Sequence, residues 1–377
     1  MNKRINIYLL NIIVFLQGLV FYAPVATIYR ENRGVSISQI FLIESIYMIL
    51  IILLEIPWGI FADKYGYKKT LVLSNLIFFI SKIVFFKADS FYMFLLERFL
   101  LATAISGLSG CDSTVLYLSL DKNDNSEKAF ARYGFFSNVG FLLGSVISTF
   151  IINISIDLSA YYTIIPYALA FIISLFLLDV KGESKKSNGI LFNIKEAISN
   201  KEIIVLILGI ALVAEVVQSI TVFLNQGIYI RSGIDIKYFG IMLAGIQIIG
   251  LISVKSYKIT RQIGQRKSIL LFMICILISS LSLVLIKNPI LAFISIVVIS
   301  TSMGFIEPIF MDIQNKSIKI ADRATILSIY SIIGSVVSAI INPIIGSASN
   351  ASLDIGIFTC FIIILIAIVL ININYKN

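Results

Sequence analysis

The chain has 377 residues, of which 58% are hydrophobic and only 14% charged, with a mean hydropathy of +0.98 and a net charge of +9. A soluble domain carries about 25% charged residues, so an aqueous fold is excluded, and backbone groups in lipid must be paired inside a helix bundle or a closed barrel. The apolar runs reach the ~20 residues of a spanning helix without period-2 alternation, which leaves an all-α integral membrane bundle.

Met1 to Arg4 precede an apolar run too long for a leader and without a small-residue cleavage site, so a retained first helix is expected. Twelve spans follow, near 5–29, 38–60, 70–86, 91–118, 130–153, 158–178, 203–228, 236–254, 268–286, 290–311, 324–346 and 353–372. Their connections are short, so no soluble domain is expected. The longest polar break divides the chain into a half at 1–180, a linker at 181–201 and a second half at 202–377. In the linker Leu191, Ile194 and Ile198 recur at helical spacing, which predicts a short amphipathic helix on the membrane surface.

Of the 30 lysines and arginines, only Arg30, Arg33, Lys87, Arg231, Lys237 and Lys287 fall in loops opposite the N-terminus. Basic residues gather on the cytoplasmic side, so both termini are placed in the cytoplasm. The same asymmetry accounts for the positive charge without a nucleic-acid partner. Cys111, Cys275 and Cys360 lie in apolar runs and read as small core residues rather than metal ligands or a disulfide. There is no histidine, so a proton relay would rest on carboxylates.

The halves repeat. Gly66-Tyr67-Lys68-Lys69-Thr70-Leu71 matches Gly264-Gln265-Arg266-Lys267-Ser268-Ile269 at an offset of 198. Gly34-Val35-Ser36-Ile37 matches Gly233-Ile234-Asp235-Ile236 at 199, while Gly110 with Gly304 and Gly140 with Gly334 are paired at 194.

Gly59-Ile60-Phe61-Ala62-Asp63-Lys64-Tyr65-Gly66-Tyr67-Lys68-Lys69 resembles the G-x-x-x-D-R-x-G-R-[KR]-[KR] loop between helices two and three of the major facilitator superfamily. Lys64 and Tyr67 depart from its arginines, and in the second copy Arg261 replaces Asp63. Glu55-Ile56-Pro57-Trp58-Gly59 is similar to a prefix common in bacterial exporters of that superfamily, and Arg323-Ala324-Thr325-Ile326-Leu327-Ser328 to the start of its eleventh helix. The resemblance implies twelve helices in two six-helix halves related by a pseudo-twofold axis, working by alternating access. It also implies a conformational latch at Gly59, Asp63, Gly66, Lys68, Lys69 and Arg323. Gly59 is expected to allow close helix approach, and Gly66 to supply a backbone shape that strains other residues.

Eight ionisable side chains fall inside the spans, each at a cost of ~2.5–3.5 kcal/mol on insertion scales. In the superfamily helices 1, 4, 7 and 10 line the cavity, and Glu97, Arg98, Asp112, Glu215 and Glu307 fall on helices 4, 7 and 10. Glu215, near the middle of span seven with Gln218 one turn on, is the sharpest candidate for carrying a proton, against a neutral acid bonded to a neighbouring helix. Arg98 sits where the superfamily has a helix-four arginine linked to proton transfer, although Ala102 replaces the glycine expected beyond it. Asp112 and Glu307 read as gate or ion-pair residues. Glu44 is placed within reach of the outer side and Glu55 near the cytoplasmic end, where a structural role is favoured. Asn225 and Gln226 are placed at the outer mouth, and Tyr22 beside Pro24 in the cavity. Lys82, on an outer helix, is expected to snorkel towards Lys87.

The function read from these residues is a proton-coupled exporter of small amphipathic molecules, monomeric and in the bacterial cytoplasmic membrane. It would need no cofactor beyond a proton gradient, and its partners would be lipid, substrate and protons. The alternatives are an uptake symporter or uniporter of the same fold, and a channel or non-transporting sensor. No G-x-x-x-x-G-K-[ST] loop supports an ATP-driven pump, and no metal cluster or nucleophile motif supports an enzyme.

Overall fold

A computed structural model describes residues 3–121, 124–180, 200–318 and 323–374. The expected linker helix lies outside the described residues. Twelve helices are long and apolar enough to cross a membrane. In chain order they are α1 (Ile5–Glu31), α2 (Ile37–Tyr65), α3 (Tyr67–Lys87), α4 (Phe91–Leu118), α5 (Ser126–Ile152), α6 (Ile156–Ser174), α7 (Lys201–Arg231), α8 (Ile236–Ile263), α9 (Gln265–Leu285), α10 (Pro289–Ser317), α11 (Ile326–Ala351) and α12 (Leu353–Ile373). These are the twelve spans expected from the apolar runs, with several extended by a turn or more. No strand occurs among the described residues.

The chain divides into two compact units. The first holds Met1–Val35, Ile46–Ser184 and Lys237–Ala244, and the second holds Ser36–Ser45, Lys185–Ile236 and Gly245–Asn377. Each unit therefore takes in one helix end from beyond its own half of the chain. Glycines permit both exchanges. In the first unit a side chain at Gly240 would overlap Ser145, Ser148 and Thr149 of α5. In the second a side chain at Gly346 of α11 would overlap Phe41, whose neighbour on the same turn group, Ser45, donates from Oγ to the Ala339 carbonyl at 2.9 Å.

The stretch Gly59–Lys69 is almost entirely helical. α2 runs through Tyr65, Gly66 alone makes the turn at φ 90° and ψ 154°, and α3 begins at Tyr67. The second copy is built alike, with Gly264 at φ 83° and ψ 163° between α8 and α9. That region of backbone space is open only to glycine. Thr70 Oγ1 donates to the Gly66 carbonyl at 3.0 Å, and Ser268 Oγ to the Gly264 carbonyl at 2.7 Å.

Two of the glycine pairs do not correspond in the fold. Gly110 is left-handed at a break within α4, whereas Gly304 lies inside unbroken α10. A side chain at Gly140 would overlap the Phe15 carbonyl, but at Gly334 it would meet nothing among the described residues. Gly59 also meets nothing among the described residues, so no close helix approach is made there; that role falls to Gly107, where a side chain would strike Trp58 and Ser74.

Candidate functional site

Helix discontinuities mark the same level in both halves of the repeat. α1 is helical over Ile5–Gly18, opens at Leu19, and resumes through a short 3-10 turn at Ala23–Val25. The opening lies where α1 crosses α5 backbone to backbone at Gly18, Gly140 and Gly144. α7 stays helical but widens to a π-turn over Ser219–Leu224, directly after Glu215 and Gln218. π-turns and broken spans at matching places are recurrent features of binding sites in membrane carriers. Pro24 and Gly18 are the sequence signals for the first break. The π-turn has no comparable signal.

In the second unit Glu215 is 1% exposed. It faces Ser338 and Asn342 of α11, with Glu44 of α2 close by and the Cys360 thiol in the same surroundings. The approach to Ser338 and Asn342 is loose: among the described residues neither carboxyl oxygen reaches full hydrogen-bond geometry, nor does either polar atom of the buried Asn342. In its neutral form such a carboxyl suits apolar surroundings, and in its ionised form it needs a compensating cation or dipole. Glu44 itself is buried. One turn or more beyond the π-turn's start, Asn225 and Gln226 are buried too, and the Asn225 Oδ1 accepts from the Gln226 backbone N–H at 2.8 Å. Gln218 is half-buried.

The first unit is cationic instead. Lys82 does not snorkel: it is 3% exposed, and its Nζ donates to the Tyr22 hydroxyl at 2.9 Å. Three ring faces surround the same ammonium, Phe78 and Tyr167 at 4.9 Å and Tyr22 at 5.5 Å. An outer helix is expected at α3, but its Lys82 lies towards α1 and α6, where aromatic faces replace the water it loses. Tyr22 is accordingly packed inside this unit, stacked on Phe85 at 4.0 Å. Tyr167 also donates to the Gln17 carbonyl at 2.7 Å, and Gln17 Nε2 donates to Asn75 Oδ1 at 2.8 Å. Glu97 is buried close enough to Tyr167 for its charge to act there, and Arg98 Nε lies 3.8 Å from its Oε2. The two adjacent side chains thus do approach one another. Arg98 also lies over the Tyr47 ring.

The remaining candidates lie apart. Asp112, at the restart of α4 after Gly110, accepts from the Tyr133 hydroxyl at 2.8 Å. Glu307 and Glu55 are exposed. Asp63 and Lys69 are exposed and Lys68 half-buried on either side of the Gly66 turn. Arg323 opens the helix of α11, but its side chain falls outside the described residues. Sequence reasoning missed Gln17, Asn75 and Tyr167, because neutral polar residues in a span carry no charge to single them out.

Twelve spans in two repeated halves, with a break in α1 and a π-turn at the matching place in α7, define a multi-pass membrane protein built like a carrier. The sequence profile described as Major Facilitator Superfamily matches residues 7–343. The chain belongs to that superfamily. A relative from Staphylococcus aureus, the quinolone resistance protein NorA, is 26% identical over 187 residues, which make up 50% of this chain and 47% of NorA. The match thus spans about half the length of that relative. Among solved structures, a mutant of the nucleoside transporter NupG superposes with a TM-score of 0.85 at 13% identity, covering 100% of both chains. A bacterial homologue of the human lysosomal transporter Spinster, inward-facing, superposes at 0.76 and 14% identity over 99% of this chain and 95% of its own. At such identities the structures speak for the fold.

Proposed function

We propose that this transporter is a proton-coupled exporter of small amphipathic molecules, working by alternating access in a bacterial cytoplasmic membrane with both termini in the cytoplasm. The observation that carries this reading is Glu215, a buried carboxyl without a completed hydrogen bond beside the π-turn of α7. A group in that setting differs most between its protonated and ionised forms, which is what a coupling site requires. The partial match to a quinolone resistance protein supports export of drug-like cargo. The crowding of lysine and arginine in the loops on the N-terminal side supports the orientation.

The test is flux of a lipophilic dye panel in proteoliposomes with an imposed pH gradient. Glu215→Gln keeps the shape and removes the titrating group. Gradient-driven flux should then fall to that of protein-free liposomes, while dye exchange at equal pH continues. Gradient-driven flux at the unsubstituted rate would remove Glu215 from the coupling site.

A further inference from the structure

The turn between α8 and α9 takes no part in that coupling, yet it differs sharply from its counterpart. Leu53–Lys69 carries Glu55 and Asp63 alongside Lys64, Lys68 and Lys69, whereas Leu251–Lys267 carries Lys255, Lys258, Arg261, Arg266 and Lys267 and no acid at all. The second copy has exchanged a mixed turn for a wholly basic one.

The structure gives this basic segment a cavity. α8 leaves regular geometry over Leu251–Lys255 and resumes as a helix at Ser256–Ile263. A groove of about 430 Å³ opens between that helix end, Gln265 and the Pro308–Lys316 end of α10. Its wall is largely apolar, formed by Tyr257, Pro308 and Ile309. The acid in the groove is already answered: Asp312 Oδ2 accepts from Gln265 Nε2 and from Lys316 Nζ, both at 2.6 Å. Arg261 lines the groove, is exposed, and is in no ion pair among the described residues. Arg266 is committed elsewhere, donating to the Asn372 carbonyl at 2.8 Å. Beyond the groove, Leu251 and Val254 continue the apolar surface and are 63% and 74% exposed.

We propose that this groove seats the phosphate of an anionic phospholipid, with Arg261 as its principal contact and Lys258, three residues before it on the same helix, adding positive charge. A cationic mouth above an apolar wall matches a phosphodiester attached to acyl chains, and basic pockets at the ends of spanning helices are suited to such headgroups. Arg261 contributes a planar fork of donors that a phosphate can accept two at a time. Free phosphate would satisfy the mouth and leave the wall and the exposed Leu251–Val254 surface unused. The lipid would brace the irregular inner end of α8, and its binding is independent of whether Glu215 carries a proton.

The experiment uses the full-length protein in detergent with added phosphatidylglycerol, phosphatidylcholine or inorganic phosphate. Retained lipid is counted by mass spectrometry of the intact complex, and thermal unfolding is followed in parallel. Phosphatidylglycerol should be retained in preference to phosphatidylcholine and should raise the unfolding temperature. Arg261→Gln, at an exposed position, should lower that retention about fivefold, one basic residue's share, whereas Arg266→Gln should leave it unchanged. Equal retention by Arg261→Gln and the unsubstituted protein would overturn the site. Equal stabilisation by inorganic phosphate alone would overturn the lipid as its occupant.

Discussion

Arg33 with Asp157 in the first half, and Arg231 with Asp354 in the second, form the same ion pair at sequence offsets of 198 and 197. The turn glycines Gly66 and Gly264 are equally well matched. At the same register the charges inside the spans are not. Gln17, Lys82, Glu97 and Arg98 correspond in the repeat to Glu215, Ser280, Ser295 and Ile296, 198 residues on. The first half cages a cation among rings and keeps a bonded amide where the second half keeps a carboxyl without a completed bond. Ser280 merely returns a hydrogen bond to its own helix, at the Leu277 carbonyl. Duplication has preserved the ends and turns that shape each half, and divergence has fallen on the groups that could carry charge through it. Under the proposed proton coupling one titrating site is enough, so one half would hold fixed charge while the other changes state.

The comparison is most easily broken at the glycines. Gly140 and Gly334 look equivalent in sequence, yet only Gly140 is pressed against another backbone, the Phe15 carbonyl of α1. Gly140→Ala should cost about 3 kcal/mol by forcing α1 and α5 apart, and Gly334→Ala should stay within about 0.5 kcal/mol. Thermal unfolding in detergent reads both. Equal losses would mean that the halves pack alike and that the opening in α1 has another cause.

The turn glycines test the opposite claim, that the ends are conserved. Gly66→Ala and Gly264→Ala should each cost about 2 kcal/mol, because both positions occupy backbone space that an alanine enters only under strain. The two losses should be alike, since the Cβ at Gly66 would meet the Asp179 carboxylate only at an ordinary contact distance of 3.4 Å. A large loss at one and none at the other would show that only one copy still shapes its half.

Lys82 then measures the charge difference directly. Lys82→Met keeps most of the volume and removes the ammonium from its three rings and the Tyr22 hydroxyl. It should cost about 1.5 kcal/mol, the size of a desolvated cation–π contact with one hydrogen bond. Ser280→Ala at the matching position should be near neutral. A stabilised Lys82→Met would mean that dehydrating the ammonium outweighs the rings, and that the cage persists for some purpose other than stability.

The spans were legible because hydropathy and length report directly on the solvent around a helix, and the duplication because turn glycines are fixed by backbone geometry. Asp63, Gly66 and Arg261 marked the loop motif, but not that α2 and α8 stay helical almost to the glycine. Glu215 stood out because an acid at membrane depth is rare. Lys82 was misplaced because span number alone does not reveal which face a residue presents, and three aromatic neighbours from α1, α3 and α6 decided the matter. Asn342 and the π-turn left no trace in the sequence, since one amide and one extra backbone residue alter neither hydropathy nor charge.

The smallest effect belongs to the pair of ion pairs. Arg33 reaches Asp157 at 2.9 Å, with the aspartate side chain 62% exposed. Arg231 meets Asp354 in a less exposed setting, and its Nη2 also donates to the Leu283 carbonyl at 2.6 Å. Exposed pairs contribute about 0.2–1 kcal/mol and are weakened by salt. Asp157→Asn should therefore cost a few tenths of a kcal/mol and lose its effect as salt is raised. Asp354→Asn should cost nearer 1 kcal/mol and depend less on salt, because it leaves a half-buried guanidinium with a carbonyl for its only described partner apart from solvent. Lys287 Nζ lies 3.7 Å from the Asp354 carboxylate, so that substitution also removes a second, weaker attraction. If the two variants lost equal stability with equal salt dependence, the second half's pair would be an ordinary surface contact, and the likeness between the halves would extend to their energetics as well as their geometry.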